Sequence, residues 1–268
     1  MIFASDLDQT LIYSTKFLGE YHYFVKPIEL YEGREISFVS CKSFDLLKKI
    51  NEQHMFIPVT TRTVEQYQRI SLFHNDIQPQ YAVMSNGGVI MHNGEIVKSW
   101  KKIIEKRIQN ESASYKEING RFKQIFGDDT WILSLKMAED LFFYYIIDRD
   151  KLPLQKIEEF GNWVEERNWS MSIQGRKLYL VPNGINKGDA IQFIAERENE
   201  EMIIAAGDSL LDLPLLLIAD IAIAPNHGEL YRQSSKIRTV KRVIFTKSNG
   251  MLASEEILNY VLKERLVK

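Results

Sequence analysis

Cysteine is almost absent from this sequence, which has one such residue, Cys41, among 268. A single thiol excludes an intrachain disulfide and a cysteine-rich zinc site, and it is typical of a reducing compartment. A charge surplus is also missing, because 34 Lys and Arg residues stand against 36 Asp and Glu residues, a formal net charge of −2. No overall positive field favours nucleic acid or an anionic membrane, so a small diffusible partner fits better.

Long apolar runs are missing as well. The longest, residues 213–225, is interrupted by Asp220 and is shorter than the roughly 20 residues that span a bilayer. The N-terminal MIFASDLDQT shows neither a basic leader nor an apolar segment of secretory length. We therefore expect a cytoplasmic protein with no membrane or nucleic-acid partner. No feature of the sequence predicts an oligomeric state.

Short apolar runs near the N-terminus predict a parallel sheet. Strands are predicted at Ile2–Ala4, Met55–Val59 and Tyr81–Met84, and helical spacing predicts helices between them. These helices are Ser43–Gln53, begun by a Ser43 cap, and Thr63–Phe73. Strands that alternate with helices indicate an α/β fold with a parallel sheet.

A hairpin and an insert interrupt this pattern. Val25–Ser40 alternates and predicts a hairpin that turns at Glu32-Gly33. The insert is predicted to contain a hairpin (Val89–Ile96), helices (Lys101–Phe126, Leu154–Asn168) and strands (Trp131–Lys136, Leu141–Asp148, Trp169–Ile173, Lys177–Val181). The α/β pattern then resumes with helices Gly188–Arg197 and Leu211–Ile218 and strands Met202–Ala206 and Ile221–Ala224.

The predicted architecture is therefore a Rossmann-like parallel-sheet core with an inserted α+β domain. The core comprises residues 1–85 and 185–268, and the insert comprises residues 86–184, with an antiparallel sheet and a repeated helix-strand-strand order. Both crossings carry Gly or Asn, at Asn86-Gly87 and Asn183-Gly184, residues that can absorb the dihedral changes of a hinge.

Two acidic pairs follow predicted core strands. Asp6 and Asp8 come after the first strand, and at a strand end residues two apart point to the same side, so their carboxylates need a cation or a proton between them. Asp208 and Asp212 follow the Met202–Ala206 strand and offer oxygen ligands that suit magnesium. A solvated acidic turn is the alternative for the first pair, and an acidic helix cap is the alternative for Asp212.

Phosphate-binding groups are predicted at two further strand and helix ends. Thr60, Thr61 and Arg62 follow a core strand, where a hydroxyl and backbone N–H groups at a helix start can hold phosphate oxygens. Thr60 can also be a simple helix cap. Lys187 lies at a helix N-terminus, where its charge opposes the helix dipole and favours an anionic partner over a local stabilising role. A solvated surface lysine is the alternative.

Taken in chain order, these residues resemble the haloacid dehalogenase superfamily of phosphohydrolases across essentially the whole chain. The resemblance implies that Asp6 is the nucleophile and Asp8 the general acid/base, and that Thr60, Thr61 and Lys187 bind phosphate. It further implies a Mg²⁺ site that involves Asp6, Asp8, Asp208 and Asp212. The expected activity is hydrolysis of a small phosphorylated metabolite through an aspartyl-phosphate on Asp6.

The insert resembles the larger cap of the subgroup that contains sucrose-phosphate phosphatase-like and other sugar phosphatases. The segments Ser85-Asn86-Gly87 and Val181–Gly188 look like that subgroup's hinges. A sugar phosphate is therefore the favoured substrate, with Arg62, Asn86, Gly87 and Arg176 as candidate substrate-binding residues. Arg176 lies between two predicted cap strands, where a solvated turn closed by Gly175 is the alternative.

Three residues depart from the family pattern. Gln9 and Thr61 stand where most relatives have glycine, and Leu211 stands where many have asparagine. On these grounds a catalytically silent module that binds a phosphorylated ligand stays open. A phosphomutase also stays open, because related mutases share the nucleophile and the cap type. The intact carboxylates favour the phosphatase, because a pure binder needs no paired carboxylates that face an anion.

Overall fold

The computed structural model describes residues 1–19, 24–127, 129–234 and 242–264. The chain divides into two compact units, one formed by residues 1–96 and 187–268 and the other by residues 97–186. The predicted core residues 20–23, 235–241 and 265–268, and residue 128 of the predicted insert, lie outside the described residues.

The strands are β1 (Ile2–Ser5), β2 (Val25–Tyr31), β3 (Arg34–Ser40), β4 (Met55–Pro58), β5 (Tyr81–Met84), β6 (Val89–His92), β7 (Glu95–Ile96), β8 (Ile132–Ala138), β9 (Phe142–Ile147), β10 (Trp169–Gln174), β11 (Lys177–Pro182), β12 (Ile203–Ala206), β13 (Ile221–Ala224) and β14 (Val243–Phe245). The α-helices are α1 (Cys41–Gln53), α2 (Val64–Gln68), α3 (Lys98–Glu111), α4 (Tyr115–Phe126), α5 (Leu154–Glu165), α6 (Lys187–Glu198), α7 (Leu213–Ile218), α8 (Glu229–Gln233) and α9 (Gly250–Lys263). Among the residues that the structure describes, no helix has the length and hydropathy that a membrane span requires.

The first unit contains a parallel sheet with the strand order β14-β13-β12-β1-β4. Strand β1 pairs with β12 on one side and with β4 on the other, and Ile2 is the register partner of both Ile203 and Met55. All four residues of β1 are buried, because a parallel strand covered on both faces needs apolar side chains in succession. The predicted parallel-sheet core is confirmed.

The strand β5 begins a second, antiparallel sheet with β6 and β7. A parallel bridge between Val59 and Val83 nevertheless places the end of β5 beside the end of β4. The carboxyl ends of β5, β4, β1 and β12 are therefore neighbours in that order. Open α/β sheets bind their ligands at such an edge.

The predicted hairpin after β1 is confirmed as β2 and β3. Its turn residues Glu32 and Gly33 have φ angles of 48° and 74°, the left-handed values that a tight two-residue hairpin turn requires. The backbone of Ile28 on β2 accepts hydrogen bonds from the N–H (2.8 Å) and the hydroxyl (3.0 Å) of Ser71. These bonds attach the hairpin to the segment after α2.

The second unit contains an antiparallel sheet with the strand order β10-β11-β9-β8. Helices α4 and α5 supply apolar side chains to the same core as the sheet. This core contains Ile118, Phe122, Phe126, Trp131, Phe143, Tyr145, Ile157, Phe160, Val164, Trp169, Leu178 and Leu180. The predicted antiparallel sheet and its helix-strand-strand order are confirmed.

Three predicted helices differ in their details. The cap of α1 is Ser40, whose hydroxyl accepts the N–H of Ser43 at 2.9 Å, so the prediction of a Ser43 cap was wrong. The predicted helix 101–126 is two helices, because Ser114 caps α4 through the N–H of Glu117. The predicted helix 63–73 ends at Gln68 and is followed by a π-helical turn at 72–76, since Ser71 donates its N–H to the hairpin.

Candidate active site

Four of the predicted site residues meet at the carboxyl end of the parallel sheet. The Lys187 ammonium donates to Asp6 Oδ1 at 2.6 Å and to Asp212 Oδ1 at 2.5 Å. Asp208 completes the group, and one ligand oxygen from each of Asp6, Asp208 and Asp212 lies within 4.8 Å of the others. All four side chains are buried.

The parallel strands hold Asp6 at this place. Its N–H donates to the Ala206 carbonyl at 2.9 Å, which continues the β1–β12 ladder by one residue. Its Oδ2 accepts the Thr10 hydroxyl at 3.2 Å, and Thr10 is fully buried. Both carboxylate oxygens of Asp6 therefore have fixed partners on elements that are distant from one another in sequence.

Asp212 organises the loop that follows β12. Its Oδ2 accepts the N–H groups of Asp208 (3.1 Å) and Ser209 (2.9 Å) and the hydroxyl of Ser209 (2.8 Å). Gly207 makes this turn possible, because a Cβ there would lie 2.4 Å from the Asp212 Cβ. Since Lys187 occupies the other oxygen, Asp212 accepts hydrogen bonds on both.

Burial and like charges act on the protonation of this group. Burial raises the pKa of Asp6 to about 7, Lys187 opposes the rise, and the neighbouring Asp212 adds to it. Burial, followed by Asp6 and Asp212, holds the pKa of Asp208 well above its ordinary range. Burial alone would lower the pKa of Lys187, but Asp212 and Asp6 outweigh it and raise that pKa, so the ammonium stays charged.

The donor set fits a magnesium ion. Within the described part of the site, one ammonium stands against three buried carboxylates, which leaves negative charge. Burial, and then the neighbouring carboxylates, raise the pKa of Asp6 and of Asp208, so a cation at this place would be favoured. Carboxylate oxygens are the ligands that Mg²⁺ takes, usually one or two together with water. Asp208 is the best placed of the three, because Asp6 and Asp212 already accept the lysine.

Asp8 lies outside this buried group and pairs with Arg62. Arg62 donates Nε to Asp8 Oδ2 and Nη2 to Asp8 Oδ1, both at 2.8 Å, a bidentate pair that fixes the carboxylate plane. The Asp8 side chain is nevertheless 49% exposed. Arg62 is a predicted substrate-binding residue, and the structure places its guanidinium on Asp8.

The predicted phosphate-binding residues lie at the neighbouring strand ends. Thr60 is fully buried, its hydroxyl accepts the N–H of Arg62 at 3.1 Å, and its carbonyl accepts the N–H of Asn86 at 2.9 Å. Thr61 is half-buried between Thr60 and Arg62. Asn86 and Gly87 belong to the 3-10 turn Ser85–Gly87 that follows β5, and Asn86 has a left-handed φ of 58°.

Arg176 lies in the second unit, at the turn between β10 and β11. Its side chain is exposed, and its carbonyl accepts the N–H of Ile147 on β9 at 2.8 Å. Gly175 precedes it with a left-handed φ of 55°. The backbone of this turn is thus fixed while the guanidinium faces solvent.

Sequence reasoning missed two side chains that fix the loop after β1. His227 lies within 3.0 Å of the Gln9 carbonyl through Nε2, and its Nδ1 accepts the Gly250 N–H at 3.1 Å. Because Nδ1 accepts, the neutral ring carries its proton on Nε2 and donates it to Gln9. Burial lowers the pKa of His227, which favours this neutral form. The second missed residue, Glu29, contacts Arg62 at 2.6 Å.

The bond from His227 supports a strained backbone at Gln9. Gln9 has a left-handed φ of 65°, a conformation that glycine adopts freely and that costs other residues roughly 1–2 kcal/mol. A glycine at this position would adopt the same φ without this steric cost. No signal near Gln9 in the sequence points to His227, which lies 218 residues away.

A family model described as sucrose-6F-phosphate phosphohydrolase matches residues 1–260 of the chain. Among curated proteins, the phosphoglycolate phosphatase of Sulfurisphaera tokodaii is 25% identical over 223 residues, which are 80% of this chain and 84% of that protein.

Two solved structures illustrate the similarity of fold. The sucrose-phosphatase from Synechocystis sp. PCC6803, solved in complex with sucrose and phosphate, matches with a TM-score of 0.69 and 15% identity over 97% of each chain. The C-terminal domain of the C. albicans trehalose-6-phosphate phosphatase matches with a TM-score of 0.64 and 12% identity, over 100% of this chain and 93% of that one. At these identities the likeness concerns the fold.

The raised pKa of Asp6 gives the metal-free protein a defined pH dependence. Between about pH 4 and pH 7 the folded protein keeps a proton on Asp6 that the unfolded chain has released, so the free energy of unfolding falls as pH rises. As pH rises through this window, we expect the free energy of unfolding to fall less in Asp6→Asn than in wild type. Urea unfolding with a chelator present measures this change. Asp45→Asn, the same change on the exposed face of α1, should follow wild type. Equal slopes for wild type and Asp6→Asn would contradict the assignment.

The left-handed backbone at Gln9 predicts a stabilising substitution. Gln9→Gly should raise the free energy of unfolding by about 1 kcal/mol, because glycine adopts this φ without the steric cost of a Cβ. Chemical denaturation measures the change. Gln9→Ala is the control: it removes the long side chain but keeps the Cβ, so it should gain nothing. A gain that is equal in both variants would assign the effect to the side chain instead.

Proposed function

The chain belongs to the sucrose-6F-phosphate phosphohydrolase family and is a haloacid dehalogenase-type phosphatase, and we propose that it hydrolyses a sugar phosphate through Asp6 with Mg²⁺. The observation that carries the proposal is the buried contact of Lys187 with Asp6 and Asp212, with Asp208 beside them, at the carboxyl end of the sheet. A carboxylate that is buried next to a fixed cation suits a nucleophile that must meet an anionic phosphoryl group.

Asp6 and Asp208 would hold the magnesium ion, together with the Asp8 backbone as in the family. When bound, Mg²⁺ neutralises charge on the phosphoryl oxygens and keeps Asp6 ionised. We assign Asp212 a positioning role, because its two oxygens already orient Lys187 and the 207–209 turn. A supporting contact of this kind tunes metal affinity without ligation.

Asp6 attacks phosphorus, and the bond to the leaving oxygen breaks as the aspartyl-phosphate forms. Lys187 offsets charge on the phosphoryl oxygens during this in-line transfer, since its ammonium lies 2.6 Å from the attacking carboxylate. Thr60 and Thr61 lie at the end of β4, the strand next to β1, and we propose that they bind the remaining phosphoryl oxygens. Catalysis of this kind depends mainly on positioning.

Asp8 transfers the protons. We propose that it donates one to the leaving oxygen and later accepts one from the water that hydrolyses the aspartyl-phosphate. Its side chain is half-exposed, so it can take a proton from solvent and reach a substrate. The oxygen that carries the proton gives up its bond from Arg62, and the other oxygen keeps its bond. Arg62 thus serves the general acid/base in this proposal rather than the substrate.

We propose a sugar phosphate as the substrate, although the curated relative carries the name of a phosphoglycolate phosphatase. The matched family model and the similar folds carry the names of sucrose-phosphate and trehalose-phosphate phosphatases. We propose that the inserted segment 86–184 acts as a cap that selects the leaving group, with Asn86 and Gly87 at its hinge and Arg176 among its substrate-binding residues. The chemistry then belongs to the core segments and the selection to this insert.

Replacement of Asp6 tests the nucleophile. Asp6→Asn keeps the volume of the side chain and removes the attacking oxygen anion, so phosphate release from sugar phosphates with Mg²⁺ should fall below detection. Asp45→Asn should keep the wild-type rate. Chelation of the metal should abolish wild-type release, and addition of Mg²⁺ should restore it. Full activity of pure Asp6→Asn protein would exclude the covalent mechanism, and isomeric phosphate without release would indicate a mutase.

Replacement of Arg176 tests the assignment of substrate choice to the cap. Arg176→Ala should change the relative kcat/KM values for different phosphate esters by about tenfold, while the Mg²⁺ concentration for half activity stays constant. Arg149→Ala, at another exposed arginine of the same unit, should leave both unchanged. A shift in the magnesium requirement without a change in ester preference would contradict the proposed division of roles.

A further inference from the structure

The carboxylate of Glu29 is buried in the first unit although it lies on a solvent-facing hairpin. Its side chain is 1% exposed, whereas Leu30 and Tyr31, the next two residues of β2, are exposed. Carboxylates are almost never fully buried unless they are paired. No motif in the sequence predicts a role for Glu29.

A bulge in β2 turns Glu29 inward. The register of β2 with β3 shifts on both sides of Glu29, so that the regular alternation of the strand is broken there. Glu29 also forms an isolated bridge with Ile70, and Ile28 accepts two hydrogen bonds from Ser71. Bulges re-aim side chains and are frequent beside active sites. The hairpin is therefore fixed to the segment after α2 at the point where the Glu29 side chain enters the interior of the first unit.

Inside the unit, Glu29 holds the guanidinium that holds Asp8. Glu29 Oε2 accepts Arg62 Nη1 at 2.6 Å and the Ser37 hydroxyl at 2.6 Å, and Ser37 in turn accepts Arg62 Nη2 at 3.2 Å. Glu29 Oε1 pairs with Arg69 Nε at 3.3 Å. Arg62 thus has Asp8 on one edge and Glu29 with Ser37 on the other.

Asp8 alone could not fix Arg62 in this position. The Asp8 side chain is 49% exposed, and ion pairs with an exposed partner contribute little because water competes with them. The pair with Glu29 is buried on both sides, with exposures of 11% for Arg62 and 1% for Glu29. Removal of the Glu29 charge would leave the Arg62 guanidinium buried without its partner. The guanidinium would then move toward solvent or toward Asp8.

We propose that Glu29 is a positioning residue for proton transfer, which fixes Arg62 so that Asp8 is oriented for donation to the leaving oxygen. The proposal rests on the proposed role of Asp8 as general acid. It assigns a function to the β2–β3 hairpin, which contributes no residue to the buried Asp6 group. Displacement of the Arg62 guanidinium would then impair the protonation of the leaving group more than the attack of Asp6 on phosphorus.

Leaving-group dependence separates these two effects. A sugar phosphate has an alkoxide leaving group that needs a proton, whereas p-nitrophenyl phosphate releases a stable phenolate and needs little help. We would measure kcat/KM, which covers steps through departure of the leaving group, for both esters with saturating Mg²⁺. Glu29→Gln keeps the shape and removes the charge. Glu35→Gln makes the same change at an exposed position of the same hairpin.

Glu29→Gln should lower kcat/KM for the sugar phosphate by about tenfold or more and that for p-nitrophenyl phosphate by less than about threefold. Glu35→Gln should match wild type on both esters. Ser37→Ala removes a hydroxyl that contacts both Glu29 and Arg62, so it should show the same difference between the two esters more weakly. This variant provides the test if Glu29→Gln does not fold.

Equal losses on the two esters, or no loss on either, in a folded variant would overturn the role of Glu29. A wild-type protein that releases phosphate from neither ester would instead overturn the proposed function. The two failures are distinguishable because the second is seen before any substitution is made.

Discussion

The contact of the Lys187 ammonium with Asp6 and Asp212 is the interaction on which the site depends. It joins the end of β1 to the start of α6, 181 residues later, and to the loop after β12. Without this cation, three buried carboxylates would face one another, and burial already raises the pKa of two of them. The parallel sheet brings these chain segments together, and the lysine makes their proximity electrostatically tolerable.

Much of the fold and the buried site could be predicted from local patterns. Short apolar runs that end in Asp6, Thr60 or Asp208 indicate buried strands and mark their polar ends, because strand length and side-chain polarity are local properties. The supporting contacts could not be predicted. The bond from His227 to Gln9 spans 218 residues. The side-chain direction of Glu29 depends on a β-bulge that the alternating sequence pattern does not reveal.

Errors in helix limits have the same origin. The segment 63–73 has helical spacing, but Ser71 gives its N–H to Ile28 of the hairpin, a competing tertiary bond. Ser40 caps α1 although Ser43 is an equally good cap residue by type, because the backbone of Ser40 is extended where β3 ends. In both cases residue type allowed two structures, and a neighbouring strand selected one.

The position of β1 within the sheet has a consequence for biosynthesis. Strand β1 has β4 on one side and β12 on the other, and the partner of Ile2 in β12 is Ile203. On the ribosome, β1 can pair with β4 early, while its other edge waits until the whole second unit and α6 have been made. A chain-order folding route therefore completes the second unit before the strand that leads to Asp6 is enclosed, and until then this strand has an unpaired edge that can pair with other chains.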